Sequence, residues 1–249
     1  MLKKERQAQI LHQLNIHNRV TSTRLSENLQ VSEHTIRRDL QELADSGKAI
    51  KVHGGALSLS FSEFNINNNN VYGKDEKQLI ARKAISLIKN NMVVLTSGGT
   101  TIIELAKSLP EGLKATFISG SIPAILEYSN HPNIDVIVIG DKVSKNSKIT
   151  IGADAIAKIK SLKVDICLLG INAIDLEHGL SDDDWDVAQL KKVMIDSSQK
   201  VAALTISEKI GTFQPINICP IQNIDYLITE LDPGDKRLDP YRKSSITLI

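Results

Sequence analysis

Two stretches of the chain carry residue types and spacings that can do chemistry. The first is VVLTSGGTTIIELAKSL, residues 93–109, in which an apolar run leads into Ser97-Gly98-Gly99-Thr100-Thr101 and then into a helical pattern. A helix start built of small residues offers unpaired backbone N–H groups and hydroxyls, which suit an anion such as a phosphate. Gly99 lets a ligand come close to the backbone. A tight turn with an ordinary N-cap would be spelled the same way. The second stretch is VSEHTIRRDLQEL, residues 31–43. On a helix, Ile36, Leu40 and Leu43 define one face that must be buried. His34, Arg38 and Gln41 lie nearly opposite, Arg37 sits at the edge, and Ser32 and Thr35 stand at the start. Their side chains are donors and acceptors of the kind that meet base edges and phosphates, and arginine can do so bidentately. The plain alternative is a solvated helix face with ordinary charges. Asp39, in the same helix, is expected to cap or to pair with a neighbour.

The elements that must position these residues can be read from periodicity. Ile10, Leu11 and Leu14 form a helical stripe from Lys3 to about Ile16. Thr21 and Ser22 fit as caps for a second helix through Leu29, and Ser32 caps a third that ends near Gly47. KAIKVHGGALSL then alternates polar and apolar residues around Gly54-Gly55, which predicts a β-hairpin. Three short helices and a hairpin make a winged helix-turn-helix over residues 1–57. Lys48, Lys51 and His53 of the wing would touch phosphates, contacts that position a domain without reading sequence. Residues 58–75 change character: four consecutive asparagines, Asn67 to Asn70, favour turns and build no core, so the segment reads as a linker.

Over residues 76–249, short runs rich in Val, Ile and Leu alternate with helical stretches at 76–90, 101–109, 121–130, 153–162 and 186–198. The runs are VVLT, ATFIS, IDVIVIG, VDICLLGI, KVAALTI and DYLIT. This pattern predicts an α/β, Rossmann-like, mostly parallel sheet covered by helices on both faces. The run KITIG, 148–152, is expected at an edge.

Composition narrows the class. The 249 residues are 41 % hydrophobic and 24 % charged, which supports a packed core, and aromatics are only 4 %, so aliphatic side chains must fill it. Net charge is +1, but residues 1–57 hold nine Lys and Arg against six Asp and Glu, with four of the six histidines. That uneven charge points a polyanion at the N-terminal segment. No apolar run reaches the roughly 18 residues of a membrane span. MLKKERQAQI carries charges where a signal peptide needs an apolar stretch. Cys167 and Cys219 lie in apolar runs without metal-ligand spacing, which predicts a reducing cytoplasm and no disulfide framework.

The stretch ERQAQILHQL, continuing through VTSTRLSENLQVSEHTIRRDLQELADSGKAIKVHGGA, resembles the DNA-binding domain of the DeoR family of bacterial transcription regulators. The helix VSEHTIRRDLQEL followed by HGGA carries the likeness, which extends to about Thr229. The resemblance implies a C-terminal domain similar to sugar-phosphate isomerases that binds a phosphorylated sugar-like effector and alters DNA binding. It also implies an oligomeric repressor, dimer or tetramer, of a sugar or nucleoside operon, with a double-stranded operator as partner and no cofactor or metal.

The resemblance places the effector at Ser97, Gly98, Gly99, Thr100, Thr101, Ser119, Gly120, Ser121, Gly152, Gly170, Lys191 and Lys209. The chain departs from the family pattern at several of these. Ser97 stands where an aspartate is expected, and Ser119-Gly120-Ser121 replaces Thr-Asn-Ser. Gly140-Asp141 replaces Gly-Gly, whereas Gly152, Gly170 and Gly179 are kept. Val187 takes the place of a glutamate four residues before Lys191, and Ile206 that of an aspartate three before Lys209. Isomerising a sugar phosphate needs a positioned carboxylate base, and neither valine nor isoleucine can accept a proton. The expectation is therefore a sensor without catalytic residues. Asp182, Asp183, Asp184 and Asp186 read as solvated or helix-start charges, or as replacement acids. Trp185 among them would lid a pocket or cover the edge of the core.

Overall fold

The computed structural model describes residues 1–17, 19–58, 71–145 and 147–249. The chain divides into two units, Met1–Tyr72 and Gly73–Ile249. Most of the segment read as a linker, including the four asparagines, lies outside the described residues.

The first unit runs α1 (Lys3–His17), β1 (Arg19–Thr21), α2 (Ser22–Leu29), α3 (Glu33–Asp45), β2 (Ile50–Val52) and β3 (Gly55–Leu57). Helix α2 starts where the Thr21 hydroxyl accepts from the Arg24 N–H at 3.3 Å, and α3 where the Ser32 hydroxyl accepts from Thr35 N–H at 3.3 Å. Each cap satisfies a backbone donor that the helix itself leaves unpaired. Ile10, Leu14, Leu25, Ile36, Leu40 and Leu43 close into one aliphatic core with Val20 and Ala56. The wing is a three-stranded antiparallel sheet in the order β1-β3-β2, not a simple hairpin. Strand β1 has no periodic signature of its own. It pairs with β3 because residue 55 is glycine: a Cβ there would lie 1.9 Å from the Val20 carbonyl oxygen.

In the second unit α4 (Lys74–Ile85) leads into β4 (Val93–Thr96), α5 (Thr100–Lys107), β5 (Thr116–Ser119), α6 (Ile122–Ser129) and β6 (Asp135–Val138). A ribbon of β7 (Lys142–Val143) and β8 (Thr150–Ile151) follows, then α7 (Ala153–Lys160) and β9 (Val164–Gly170). Next come β10 (Ala173–Asp175), β11 (Gly179–Asp182), α8 (Trp185–Asp196), β12 (Ser198–Leu204), β13 (Ile216–Cys219), β14 (Tyr226–Ile228), α9 (Asp239–Arg242) and β15 (Thr247–Leu248). Seven of these strands form one parallel sheet in the order β15-β14-β12-β9-β4-β5-β6. The six apolar runs of the sequence are six of its seven strands, and Val94, Leu95, Leu168, Leu169, Ala203 and Leu204 at its centre are buried.

Three features differ from the sequence reading. KITIG is not an edge of the main sheet; Thr150–Ile151 pairs antiparallel with Lys142–Val143 in a separate ribbon. A second antiparallel sheet, β10-β11-β13, stands beside the main one and contains the start of the acidic run. The outermost strand β6 is not covered on both faces: Ile137 and Val138 are exposed, as is Leu126 of α6. Both cysteines are free and buried, and among the described residues no helix is long and apolar enough to cross a membrane.

Candidate DNA interface and effector site

On α3, Ile36, Leu40 and Leu43 face the core while His34, Arg37, Arg38 and Gln41 are exposed. Asp39 is buried and forms a two-pronged pair with Arg6 of α1, its Oδ2 accepting from the guanidinium Nε at 2.5 Å. Gln7 and Lys3 reach Glu42 at 2.9 and 2.6 Å, so α1 fixes the inner edge of α3 by charge as well as packing. The outer arginines are held only by their own helix: Arg37 pairs with Glu33 at 2.7 Å and Arg38 with Glu42 at 3.5 Å. Side chains exposed at 64 % and 75 % in such i,i+4 pairs gain little from them and can be recruited by a polyanion. Lys48, Lys51 and His53 are exposed on and before the wing, and Lys51 Nζ donates to Gln41 Oε1, linking wing to helix. Ser32 and Thr35 share a 2.9 Å hydroxyl contact at the helix start.

In the second unit the strand order fixes where a ligand can sit. From β4 the chain moves outward through β5 to β6, then returns to β9 on the other side of β4 and continues outward to β12, β14 and β15. The crevice beyond the C-terminal ends of β4 and β9 is thus the topological switch point, where open α/β sheets bind ligands. Ser97 to Thr101 leaves β4 there, and Gly170 to Asn172 leaves β9. Gly99 has φ 108° and ψ 161°, a conformation that side chains avoid, and no side chain caps α5. Ile103 N–H is the first to bond within the helix, to the Gly99 carbonyl, so the N–H groups of Thr100 to Ile102 precede the intrahelical ladder.

Several predicted ligand residues do structural work instead. Ser97 is fully buried, and its hydroxyl accepts from Gly170 N–H at 2.9 Å, tying β4 to β9. Gly170 allows that approach, since a Cβ would fall 2.6 Å from the Gly98 carbonyl oxygen. Ser119 is buried, its hydroxyl donating to the Thr96 carbonyl and accepting from Ser121 N–H. Gly120 abuts Thr150, and the buried Ser121 bridges to Ile149. Gly152, at the start of α7, faces Asp141, whose carboxylate accepts from the N–H groups of Asp154 and Ala155 at 3.0 and 3.2 Å. The residue that broke the Gly-Gly pattern therefore supplies the anion at that helix start, and its backbone donors, Lys142 N–H first, hold its carboxyl below the usual range. Each of these positions shapes the crevice, but Ser97, Ser119 and Gly152 do not offer free donors to it.

The lysines are placed differently. Lys191 forms a buried ion pair with Asp182 at 2.7 Å. Burial raises the carboxyl's pKa, yet the Lys191 charge and hydrogen bond outweigh it and keep Asp182 ionised. The acidic run is thus not a solvated loop throughout: Asp182 is buried, Asp183 accepts from Asn172 Nδ2 at 2.9 Å, and Asp184 caps α8. Trp185, by contrast, is 65 % exposed and does not cover the core. Lys209 is 9 % exposed, and its ammonium donates to the Ile171 carbonyl at 3.3 Å. Burial, then repulsion from Lys77 and Lys191, lowers its pKa to about 7 against the pull of Asp182 and Asp183. Lys77 of α4, which the sequence reading missed, is also buried, and burial lowers its pKa to about 8. A lysine buried on a helix otherwise patterned by Ile80, Ala81 and Ala84 was the available signal.

A winged helix-turn-helix followed along the chain by a parallel-sheet unit with buried lysines at its switch point defines a DNA-binding protein with a sensor domain. Comparison with known proteins agrees. Residues 6–61 match the DeoR-like helix-turn-helix domain and residues 73–231 the DeoR C terminal sensor domain. The chain belongs to the DeoR family of transcriptional regulators. The HTH-type transcriptional regulator GolR of Listeria innocua is 35 % identical over 228 residues, 91 % of this chain and 90 % of that one. The HTH-type transcriptional repressor GlcR of Bacillus subtilis is 30 % identical over 251 residues, covering 100 % of this chain and 96 % of its own. Among solved structures, ribose 5-phosphate isomerase A from Methanocaldococcus jannaschii superposes with a TM-score of 0.42 at 17 % identity over 55 % of each chain. The protein is a DNA-binding transcriptional regulator, not an enzyme.

Proposed function

We propose that this regulator represses a sugar- or nucleoside-utilisation operon in the cytoplasm and changes its grip on the operator when a phosphorylated, sugar-like effector binds the second unit. Residues 1–57 would hold DNA, 58–75 would link, and 76–249 would sense and oligomerise. The observation that carries the reading is the switch-point crevice: an uncapped helix start at Gly99-Thr100-Thr101 after β4, and after β9 the Ile171 carbonyl that holds Lys209, a lysine whose charge burial disfavours. An anion placed there gains backbone donors and makes Lys209 easier to protonate. Gly98, Gly120, Gly170 and Lys191 shape or brace this seat. The effector acts only through different affinities for two arrangements of the DNA-binding heads. Two recognition helices about 34 Å apart match a repeated half-site, so we expect a dimer or tetramer. The exposed apolar edge at Ile137 and Val138 supports such a contact.

A second reading, a sensor domain that only oligomerises, draws support from the inward-turned hydroxyls of Ser97 and Ser119. Gel shifts on fragments of the protein's own promoter, with and without a panel of sugar phosphates, separate the two. A shift relieved or altered by one phosphorylated compound supports the effector reading. A shift indifferent to all of them, with no thermal stabilisation, supports the scaffold. Failure to bind any promoter fragment at low salt would overturn the placement of α3 on DNA.

A further inference from the structure

Among the described residues three buried side-chain oxygens lack a hydrogen-bond partner: Glu127 Oε1, Ser147 Oγ and Asn172 Oδ1. Only the last stands at the C-terminal edge of the main sheet, two residues beyond the end of β9. Asn172 is 9 % exposed, and its orientation is set by its neighbour: Nδ2 donates to Asp183 Oδ1 at 2.9 Å. Rotating the amide would face two acceptors against each other, so the oxygen is left as the group without a donor. The Lys209 ammonium does not serve it, being directed to the carbonyl of Ile171, the residue before. A buried acceptor left this way costs about 1–3 kcal/mol, and native proteins keep such groups where a role requires them.

We propose that Asn172 sets the specificity of the effector site: its side-chain oxygen accepts a hydrogen bond from a hydroxyl of the bound effector, beside the lysine that meets the effector's charge. This rests on the reading that the crevice holds a phosphorylated effector. The donor is a hydroxyl because one ligand must serve both groups, an anion for Lys209, whose ammonium reaches the Ile171 carbonyl, and a neutral donor for Asn172. A hydroxyl donates without charge, and it can be carried by the same molecule that brings the anion. The effector class is therefore a phosphorylated compound with a free hydroxyl at fixed distance from its phosphate, and bare phosphate is a poor substitute. A site that hydrogen-bonds a hydroxyl discriminates strongly against analogues lacking it, since its own polar group is then left unpaired.

The test uses the full chain, with thermal shift and calorimetric titration against inorganic phosphate, glycerol 3-phosphate, and pentose and hexose phosphates. We expect the best sugar phosphate to bind at least tenfold more tightly than inorganic phosphate. Asn172→Ala should cut that preference below threefold and leave the affinity for inorganic phosphate within twofold. An unchanged preference overturns the role of Asn172 and leaves the phosphorylated-effector reading standing. If no compound binds the wild-type chain, the effector reading fails and this inference with it. Should Asn172→Ala not fold, single-deoxy analogues of the best ligand decide on the wild-type protein. A loss of about tenfold at one hydroxyl position supports the proposal, and no loss at any position overturns it.

Discussion

The two units hold their positive charge in opposite ways. On α3 the arginines stand in water, tethered by carboxylates one helical turn away that a phosphate can displace. At the switch point the lysines are sealed in, one paired with Asp182 and one, Lys209, directed at a backbone carbonyl, its protonation depressed by burial and by the charges of Lys77 and Lys191. Exposed, loosely held charge suits a long polyanion met along one face, and such contacts weaken with salt. Enclosed charge suits one small ligand of fixed shape, because desolvated groups punish a poor fit. The same side-chain chemistry thus serves a broad surface in one unit and a narrow seat in the other, with burial as the difference.

The comparison can be broken in several ways. The largest effect is expected from Asp39→Ala, which leaves Arg6 without its partner between α1 and α3 and should destabilise the first unit by about 3 kcal/mol. Thermal unfolding should show an early transition and lost DNA binding while sugar-phosphate stabilisation persists. Loss of both responses together would mean the units do not behave separately. Lys209→Ala should weaken the effector response by about 10- to 100-fold, the range for a charged hydrogen bond of about 1.5–3 kcal/mol, with DNA binding intact. A wild-type response would remove Lys209 from the seat. Arg38→Ala should cost about 1–3 kcal/mol if it reads a base, and should flatten the salt slope if it meets a phosphate. Unchanged affinity and slope in gel shifts would take it off the interface.

A further effect is on pH. Lys209, faced by Lys77, Lys191, Asp182 and Asp183, has a folded pKa near 7, against 10.5 as its ordinary value. Between these values the unfolded chain binds the extra proton, so stability should rise with pH across that window. Below about pH 7 both states are protonated and the full cost of the buried charge is present. An anionic effector favours the protonated lysine, so its affinity should fall from pH 7 to 9 by up to one proton's slope. Titrations at three pH values check this, and a flat profile would mean that the anion does not meet Lys209.

The sequence made much of this legible where a residue's role is local. Ile36, Leu40 and Leu43 announce a buried face by spacing alone, and Ser32 announces its cap. The six apolar runs became strands because a strand buried on both faces can tolerate little else. What stayed hidden depends on contacts distant in sequence. Strand β1 exists through Gly55, 36 residues beyond its first residue, and its three residues carry no period. Ser97 looks like a ligand donor until Gly170 is seen to use it. Asp182 looked like one of four loop charges, and only the return of α8 past β11 gives it Lys191. Lys77 shares the buried face of its helix with Ile80, Ala81 and Ala84, a local mark of burial that its charge hid.

Asp141 carries a consequence of its own. By seating its carboxylate on the first turn of α7, the chain supplies that helix start with an anion of its own. A second phosphate directed at that turn would meet a carboxylate in place of free N–H groups.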